Sequence, residues 1–557
     1  MKQKLFLLRF ILLCLLLASG SQGHARSDST QTVKAKSRPN ILLVVVDDLG
    51  FTDLGVYGGD IPTPNLDALA KAGIQLNQFY TAPTCSPTRS MLLSGTDNHL
   101  AGLGNMVEVT APNQRGKPGY EGYLPDSIVP LPHVMKDAGY RTYMTGKWHL
   151  GLAKEQGPNN KGFDRSFALL DGAASHLTMR GPESKNPVAH YRDDGQPVKS
   201  LPEDFYSSDF YTDKMMEYLA TQPKKESPFF AYLSYSALHW PLQAPDAYLA
   251  KYHGQYDRGW DLIRKERFEK TKALGLIPAK TSYPPRHPDV PAWSTLTLEQ
   301  QKIEARTMEI YAAMLDNLDH NIGKLIKFLK ESGQYNNTLI LLMSDNGAEG
   351  QILDGPIFDS WLEASDNRYH NMGKASSYLF YGPQWAQVSS APFHLFKAFT
   401  SEGGIRVPAF VHYPPWQANA RVENSFITVM DVMPSLMELA QIPQPVGEYR
   451  GKQFQQLRGS SMLEVLRGER ETVHDDNYVM GWELFGRRAI RQGKWKLRWI
   501  EQPIGSGQWA LFNVETDPSE QHDLSRQEPA RRDSMLLLWE QYKAETGLIL
   551  PQGVIGY

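Results

Sequence analysis

Four short apolar runs stand out along the 557-residue chain, and each ends in polar residues. The first, Ile41-Leu42-Leu43-Val44-Val45-Val46, stops at Asp47-Asp48. Its continuous apolar character predicts a strand buried on both faces, as parallel sheets require. A second strand is expected over Tyr140–Met144, leading into Gly146-Lys147-Trp148-His149. A third covers Phe229–Ser234 and leads to His239. A fourth, Leu339–Met343, delivers Ser344-Asp345-Asn346-Gly347. Polar groups just past the carboxyl ends of buried strands lie where open α/β sheets bind ligands.

Between these runs the apolar period becomes helical. Thr63 can cap a helix with Pro64 in its first turn and Gly73 at its end, and Leu66, Leu69 and Ala70 form the inner face. The longest helix is expected from Lys302 to Ser332. Met308, Tyr311, Ala312, Leu315, Leu318, Ile322, Leu325, Ile326 and Leu329 follow its 3.6-residue period, and Gly333 can end it. Strands alternating with helices predict an α/β domain over residues 38–440, a large, mixed, mostly parallel sheet sandwiched by helices. The pattern then changes. Arg488–Arg491 and Lys494–Leu497 flank a turn at Gln492-Gly493, Leu511–Val514 reads as a further strand, and Met535–Tyr542 as a helix. Residues 441–557 are therefore expected to form a smaller antiparallel α+β subdomain. The Pro-, Arg- and Lys-rich stretch from Tyr256 to Trp293 lacks a clear period and reads as a surface insertion.

Composition narrows the function classes. With 41% hydrophobic and 21% charged residues and a net charge of -3, the chain has no basic excess for nucleic acid, and small molecules are the expected partners. At the N-terminus, Lys2 and Lys4 precede the apolar run Leu5–Ala18, broken only by Arg9, and small or polar residues follow to Ala25. This is the layout of a secretory signal peptide over residues 1–25, too short in its apolar run for a bilayer span. The expectation is an exported protein, periplasmic or secreted, with no membrane association once the leader is removed. A polar linker follows at about 26–37. Of the two cysteines, Cys14 falls in the leader, which leaves Cys85 without an intramolecular partner in an oxidising compartment.

Cys85 opens the segment Cys85-Ser86-Pro87-Thr88-Arg89. This resembles the Cys-x-Pro-x-Arg signature of type I sulfatases, in which a separate formylglycine-generating enzyme oxidises the cysteine to formylglycine. Gly146-Lys147-Trp148-His149-Leu150-Gly151 resembles the family's second motif. Asp47-Asp48 and Asp345-Asn346 resemble the two halves of its metal site. Residues 397–408, which include Lys397, and Thr516-Asp517-Pro518-Ser519-Glu520 are similar to further family blocks. The likeness runs in the family's order through nearly the whole chain after the leader and looks closest to bacterial arylsulfatases. It implies an alkaline phosphatase/sulfatase-like fold.

Read on their own chemistry, Asp47, Asp48, Asp345 and Asn346 offer only oxygen ligands, which suits Ca²⁺ or Mg²⁺ rather than zinc. The resemblance implies one Ca²⁺, with residue 85 completing the set, and sulfate-ester hydrolysis on formylglycine 85. In that scheme Lys147 and Lys397 neutralise the sulfate oxygens and Arg89 holds the formylglycine and its neighbouring carboxylates. Asp345 helps deprotonate the attacking hydroxyl. His239 protonates the leaving alcohol, with Lys397 as a second candidate for that role, and His149 takes the last proton. Asp97 and His99 are read as supports behind these groups. Three alternatives stay open: a formylglycine-dependent phosphonate monoester or phosphodiester hydrolase, a hydrolase with Cys85 as an unmodified thiolate, and a non-catalytic exported binding protein on the same fold.

Overall fold

Strand β1, Asn40–Val46, sends alternate side chains into two different cores. Leu42, Val44 and Val46 enter one, and Ile41, Leu43 and Val45 the other. A strand coated on both faces has no polar side to show, which is why its sequence does not alternate. The structure, a computed structural model, describes residues 38–181, 188–221, 227–351 and 362–553. The expected leader, Cys14 and the linker lie outside the described residues.

The chain continues through α1 (Pro64–Lys71), β2 (Ile74–Leu76), α2 (Cys85–Ser94), β3 (Arg141–Lys147), β4 (Arg165–Leu169), β5 (Tyr191–Asp193), β6 (Gln196–Pro197), α3 (Ser207–Ala220), β7 (Phe229–Ser234), α4 (Trp260–Ala273), α5 (Leu298–Glu331), β8 (Thr338–Ser344), β9 (Ala409–His412) and β10 (Arg421–Glu423). These ten strands form one sheet in the order β10-β2-β9-β8-β1-β7-β3-β4-β5-β6. The central five, β8-β1-β7-β3-β4, run parallel, and antiparallel pairs occur toward both edges. Helices α1, α3 and α5 cover one face. Helix α2, with residues 131–137 and 432–439, covers the other. The expected mixed, mostly parallel sheet between helices is therefore present.

All nine residues of the long apolar stripe on α5 are buried. The helix starts four residues before its expected first residue, because Thr297 and Gln300 close a capping box ahead of the apolar period. Thr63 does not cap α1 through its side chain. Its hydroxyl instead donates to Asp67 and accepts the N–H of Gly55. The stretch 256–293 is also less of a surface insertion than its composition suggested. It contains α4, whose Trp260, Ile263 and Phe268 join the core. Buried Arg267 donates to Asp53 at 2.7 Å and Asp60 at 2.6 Å. Paired with carboxylates, an arginine can face inward and erase the polar-outward pattern.

The C-terminal part holds an antiparallel meander, β11 (Val479–Leu484), β12 (Arg487–Gln492), β13 (Trp495–Trp499) and β14 (Trp509–Asn513), packed on α6 (Pro529–Thr546). Ile490, Leu497, Leu511, Met535, Trp539 and Tyr542 form its own core. Strand β11 was not expected from the sequence, and it faces the larger domain, with Met480 and Trp482 in that domain's core. Lys496 on β13 bonds Glu402 at 2.8 Å and Glu520 at 3.2 Å, and the Glu402 N–H donates to Glu520. The two family-like blocks at 397–408 and 516–520 are thus tied to each other through one buried lysine.

Asp97 and His99 serve this same seam rather than the catalytic groups. The His99 Nδ1–Asp97 distance is 3.0 Å, Tyr542 donates to Asp97 at 2.8 Å, and His99 Nε2 lies 3.8 Å from Glu483. Burial opposes a charged His99, but Asp97 and Glu483 outweigh it and push its pKa up to about 9. A pKa raised on folding stabilises fully below the unfolded value near 6.5 and loses that contribution as pH rises through about 9. His99→Gln should therefore cost roughly 2–3 kcal/mol at pH 6. The deficit in melting temperature against the parent should shrink as pH approaches 9, and a deficit independent of pH would rule this out.

Candidate active site

The central strands end in register, which is what assembles the site. Val46 pairs with Ser344, and Val45 and Gly146 both pair with Ser234. The residues that follow, Asp47-Asp48 and Asp345-Asn346, therefore emerge side by side, next to Lys147 at the last position of β3. Gly146 has φ +106, and a Cβ there would lie 1.8 Å from the Ser234 carbonyl oxygen, so only glycine lets β3 and β7 close at this point. Asp48 and His149 also have positive φ, 62 and 56. Such backbone is costly for non-glycine residues and persists where surrounding structure holds it.

Helix α2 brings Cys85 to these strand ends. Cys85 is its first residue, and every residue of the helix is buried. Pro87 fits the first turn, where backbone N–H groups have no partner within the helix. Arg89 follows Cys85 by four residues and so shares its face of the helix. This is the physical content of the Cys-x-Pro-x-Arg spacing. Arg89 donates to Asp345 Oδ2 from Nε at 3.1 Å and Nη2 at 2.7 Å, and from Nη1 to the Lys147 carbonyl at 2.9 Å and to Ser234. It fixes three strand ends at once.

Two groups of ligand-type side chains result. Atoms of Asp47, Cys85 and Asp345 lie within 4.8 Å of one another, as do atoms of Asp48, His239 and Glu349. In the first, Lys147 donates to Asp47 Oδ2 at 2.7 Å. Burial and then repulsion from Asp345 push Asp47 well above the usual carboxylate range. Burial would do the same to Asp345, but Arg89 and the two lysines hold its carboxyl below that range. Asp48 is raised to about 6 by burial, against the pull of Lys397. Asn346 Nδ2 donates to Asp48 Oδ1 at 2.6 Å. Asp47 Oδ1 and Asn346 Oδ1 are buried acceptors without a hydrogen bond.

These observations test whether a hard divalent cation suits the site. Three crowded carboxylates and an amide oxygen form an all-oxygen set in which two acceptor atoms, Asp47 Oδ1 and Asn346 Oδ1, lack donors. They fit Ca²⁺. In the second group the Lys397 ammonium stands 2.8 Å from both Asp48 Oδ1 and Glu349 Oε2.

The two histidines flank this centre. His239 Nδ1 donates to the Trp240 carbonyl at 2.8 Å, which turns Nε2 toward Asp48, 3.8 Å away. Burial, with Lys397 and Lys147 nearby, lowers its pKa well below the ordinary value. His149 Nε2 meets Glu108 Oε1 at 3.2 Å, and its buried Nδ1 has no hydrogen-bond partner. Gly172 makes room for this ring, since a Cβ there would lie 2.6 Å from His149 Cε1. A neutral His149 that donates to Glu108 presents a bare Nδ1, the form a proton acceptor needs.

All ten candidate residues thus lie around one set of strand ends. Three further participants were not found from sequence. Glu349 lies three positions after Asn346, close enough to the Asp-Asn pair to have been suspected. Ser234 is the last residue of an apolar strand. Glu108 sits in a single 3-10 turn, Val107–Val109, with no pattern that marks it.

Comparison with known proteins agrees with the geometry. A family model described as Sulfatase matches residues 39–442, and one described as N-sulphoglucosamine sulphohydrolase, C-terminal, matches 393–544. An uncharacterized sulfatase of Schizosaccharomyces pombe is 42% identical over 527 residues, covering 92% of this chain and 94% of its own length. An arylsulfatase of Klebsiella aerogenes is 40% identical over 413 residues, covering 73% of this chain and 88% of its own. The crystal structure of Ps i-CgsB in complex with k-i-k-neocarrahexaose superposes with a TM-score of 0.64 at 25% identity, over 91% of this chain and 92% of the other.

Proposed function

Because the chain belongs to the sulfatase family, and is thus a hydrolase of sulfate esters, we propose that it cleaves aryl sulfate monoesters using formylglycine made from Cys85. The observation that carries this reading is the placement of Cys85 at a buried helix N-terminus, within 4.8 Å of Asp47 and Asp345 and beside Arg89. The reading requires a formylglycine-generating enzyme during maturation, and the leader-like segment 1–25 makes the product an exported enzyme.

Formylglycine supplies, as its hydrate, one hydroxyl to attack sulfur and a second whose deprotonation expels sulfate and restores the aldehyde. A Ca²⁺ held by Asp47, Asp48, Asp345 and Asn346 supplies Lewis-acid polarisation at that position. The protein's own groups do the rest. Lys147 and Lys397 compensate charge on the non-bridging oxygens in a site shielded from water, where such charge counts most. Arg89 keeps Asp345 ionised and fixed to accept a hydrogen bond from the attacking hydroxyl. His239 stands on the leaving-group side, and a bound sulfate anion raises its affinity for the proton it must donate. His149 Nδ1 receives the proton of the second hydroxyl, and Glu108 steadies the imidazolium that forms.

An aromatic cluster favours a ring-bearing leaving group. Trp240 follows His239, and Ala173 follows the glycine that packs on His149. With Tyr378 and partly buried Phe380 they form a separate apolar cluster. The Trp240–Phe380 and Tyr378–Phe380 centroids are 5.5 and 5.4 Å apart. Phe380→Ala should lower kcat/KM for an aryl sulfate by roughly three- to tenfold, mainly through KM. The inhibition constant for inorganic sulfate should stay unchanged. A panel of matched aryl sulfates and aryl phosphodiesters tests the reaction class, and a higher kcat/KM on the diester would reassign it.

A further inference from the structure

Glu349 does not belong to the oxygen set that fits the cation, yet it is 3% exposed and aimed at the reaction centre. Its Oε1 accepts the backbone N–H of Gln351 at 2.8 Å, which fixes the carboxylate against its own loop. Its Oε2 is 2.8 Å from Lys397 Nζ. The same ammonium also meets Asp48, at 2.8 Å from Oδ1 and 3.1 Å from Oδ2. Asp48 is a contested group, because Asn346 also donates to it and it stands in the cation's ligand set. An Asp48 oxygen turned to a cation is withdrawn from Lys397. Glu349 has no such second duty.

We propose that Glu349 is the positioning residue for Lys397. It keeps the ammonium charged and directed at the sulfate oxygens when Asp48 is engaged by the cation. Without it the ammonium loses that anchor, draws toward Asp48, and both leaves the sulfate and competes with the cation. A carboxylate fixed against its own loop narrows the positions a flexible lysine side chain can take. This assignment rests on the reading of Lys397 as a sulfate-binding cation.

A double-mutant cycle on the Ca²⁺-loaded, formylglycine-bearing enzyme decides it, with Glu349→Gln, Lys397→Ala and the pair combined. Two readouts are taken: kcat/KM on an aryl sulfate and calorimetric binding of inorganic sulfate. Glu349→Gln should lower kcat/KM by roughly 10²-fold, the scale of losing one preorganised charge at the reacting group. It should also weaken sulfate binding by about tenfold. Glu349→Asp should recover part of both. In the Lys397→Ala background the further loss should fall within about threefold, because a group that acts only through Lys397 has nothing left to position. Equal losses with and without Lys397, or wild-type sulfate binding in Glu349→Gln, would overturn the proposal. A wild-type enzyme that binds sulfate but turns over no sulfate ester would instead count against the proposed function, and the binding cycle would still decide the role of Glu349.

Discussion

Cys85→Ala should abolish hydrolysis of every sulfate ester the parent turns over, with a loss of about 10⁴-fold or more, as removal of a covalent nucleophile costs. The fold should survive. Cys85 is 1% exposed, but its thiol makes no disulfide, and it begins a helix whose remaining nine residues are also buried. Trimming one sulfur from such a position belongs with ordinary core truncations, about 1 kcal/mol. The informative comparison is therefore between turnover and melting temperature in the same variant. Loss of activity with a melting temperature close to the parent's assigns Cys85 to chemistry. Loss of both assigns it to packing, and retained activity removes it from the mechanism.

Withdrawal of divalent cations should be nearly as damaging. Asp47, Asp48 and Asp345 crowd together with partial relief from Lys147, Lys397 and Arg89, and Asp47 carries an acceptor oxygen with no donor. A cation offsets that repulsion and also polarises the sulfate, a contribution of several kcal/mol, or roughly 10³-fold in rate. Chelation should suppress turnover on that scale and lower the melting temperature by roughly 2–3 °C, since a ligand at a hundred times its Kd stabilises by about 2.7 kcal/mol. Ca²⁺ should restore both more fully than Mg²⁺, because a set dominated by flexible carboxylates tolerates the larger ion's irregular shell better than an octahedral one. Full activity after exhaustive chelation would contradict the assignment of these four residues.

The parts of this architecture legible in the sequence were those where one physical cause acts alone. A strand buried on both faces must be apolar throughout, so β1, β7 and β8 were found almost to the residue. Carboxylates stranded at the ends of such strands have no packing reason to be there, so Asp47, Asp48, Asp345 and Asn346 stood out. What stayed hidden involved pairing across long stretches of chain. Arg267 looked like surface charge because Asp53 and Asp60, more than 200 positions earlier, are invisible to a local pattern. His99 seemed to belong with the catalytic motif 14 residues before it, while Glu483 and the Tyr542 ring that pack against it come from the far end of the chain. Glu108 reaches His149 from a single 3-10 turn, Val107–Val109, and no period predicts such an approach. Strand β11 escaped because its apolar residues serve the neighbouring domain's core.

The central claim is that residue 85 works as an aldehyde, and the tryptic peptide Ala72–Arg89 reports it directly. Conversion replaces the cysteine side chain's sulfur and two hydrogens by one oxygen, a mass change resolved without labelling. Across preparations matured to different extents, specific activity toward an aryl sulfate should rise in proportion to the aldehyde-bearing fraction of this peptide and extrapolate to zero where only thiol is present. Full activity in a preparation whose residue 85 is entirely thiol would contradict the account.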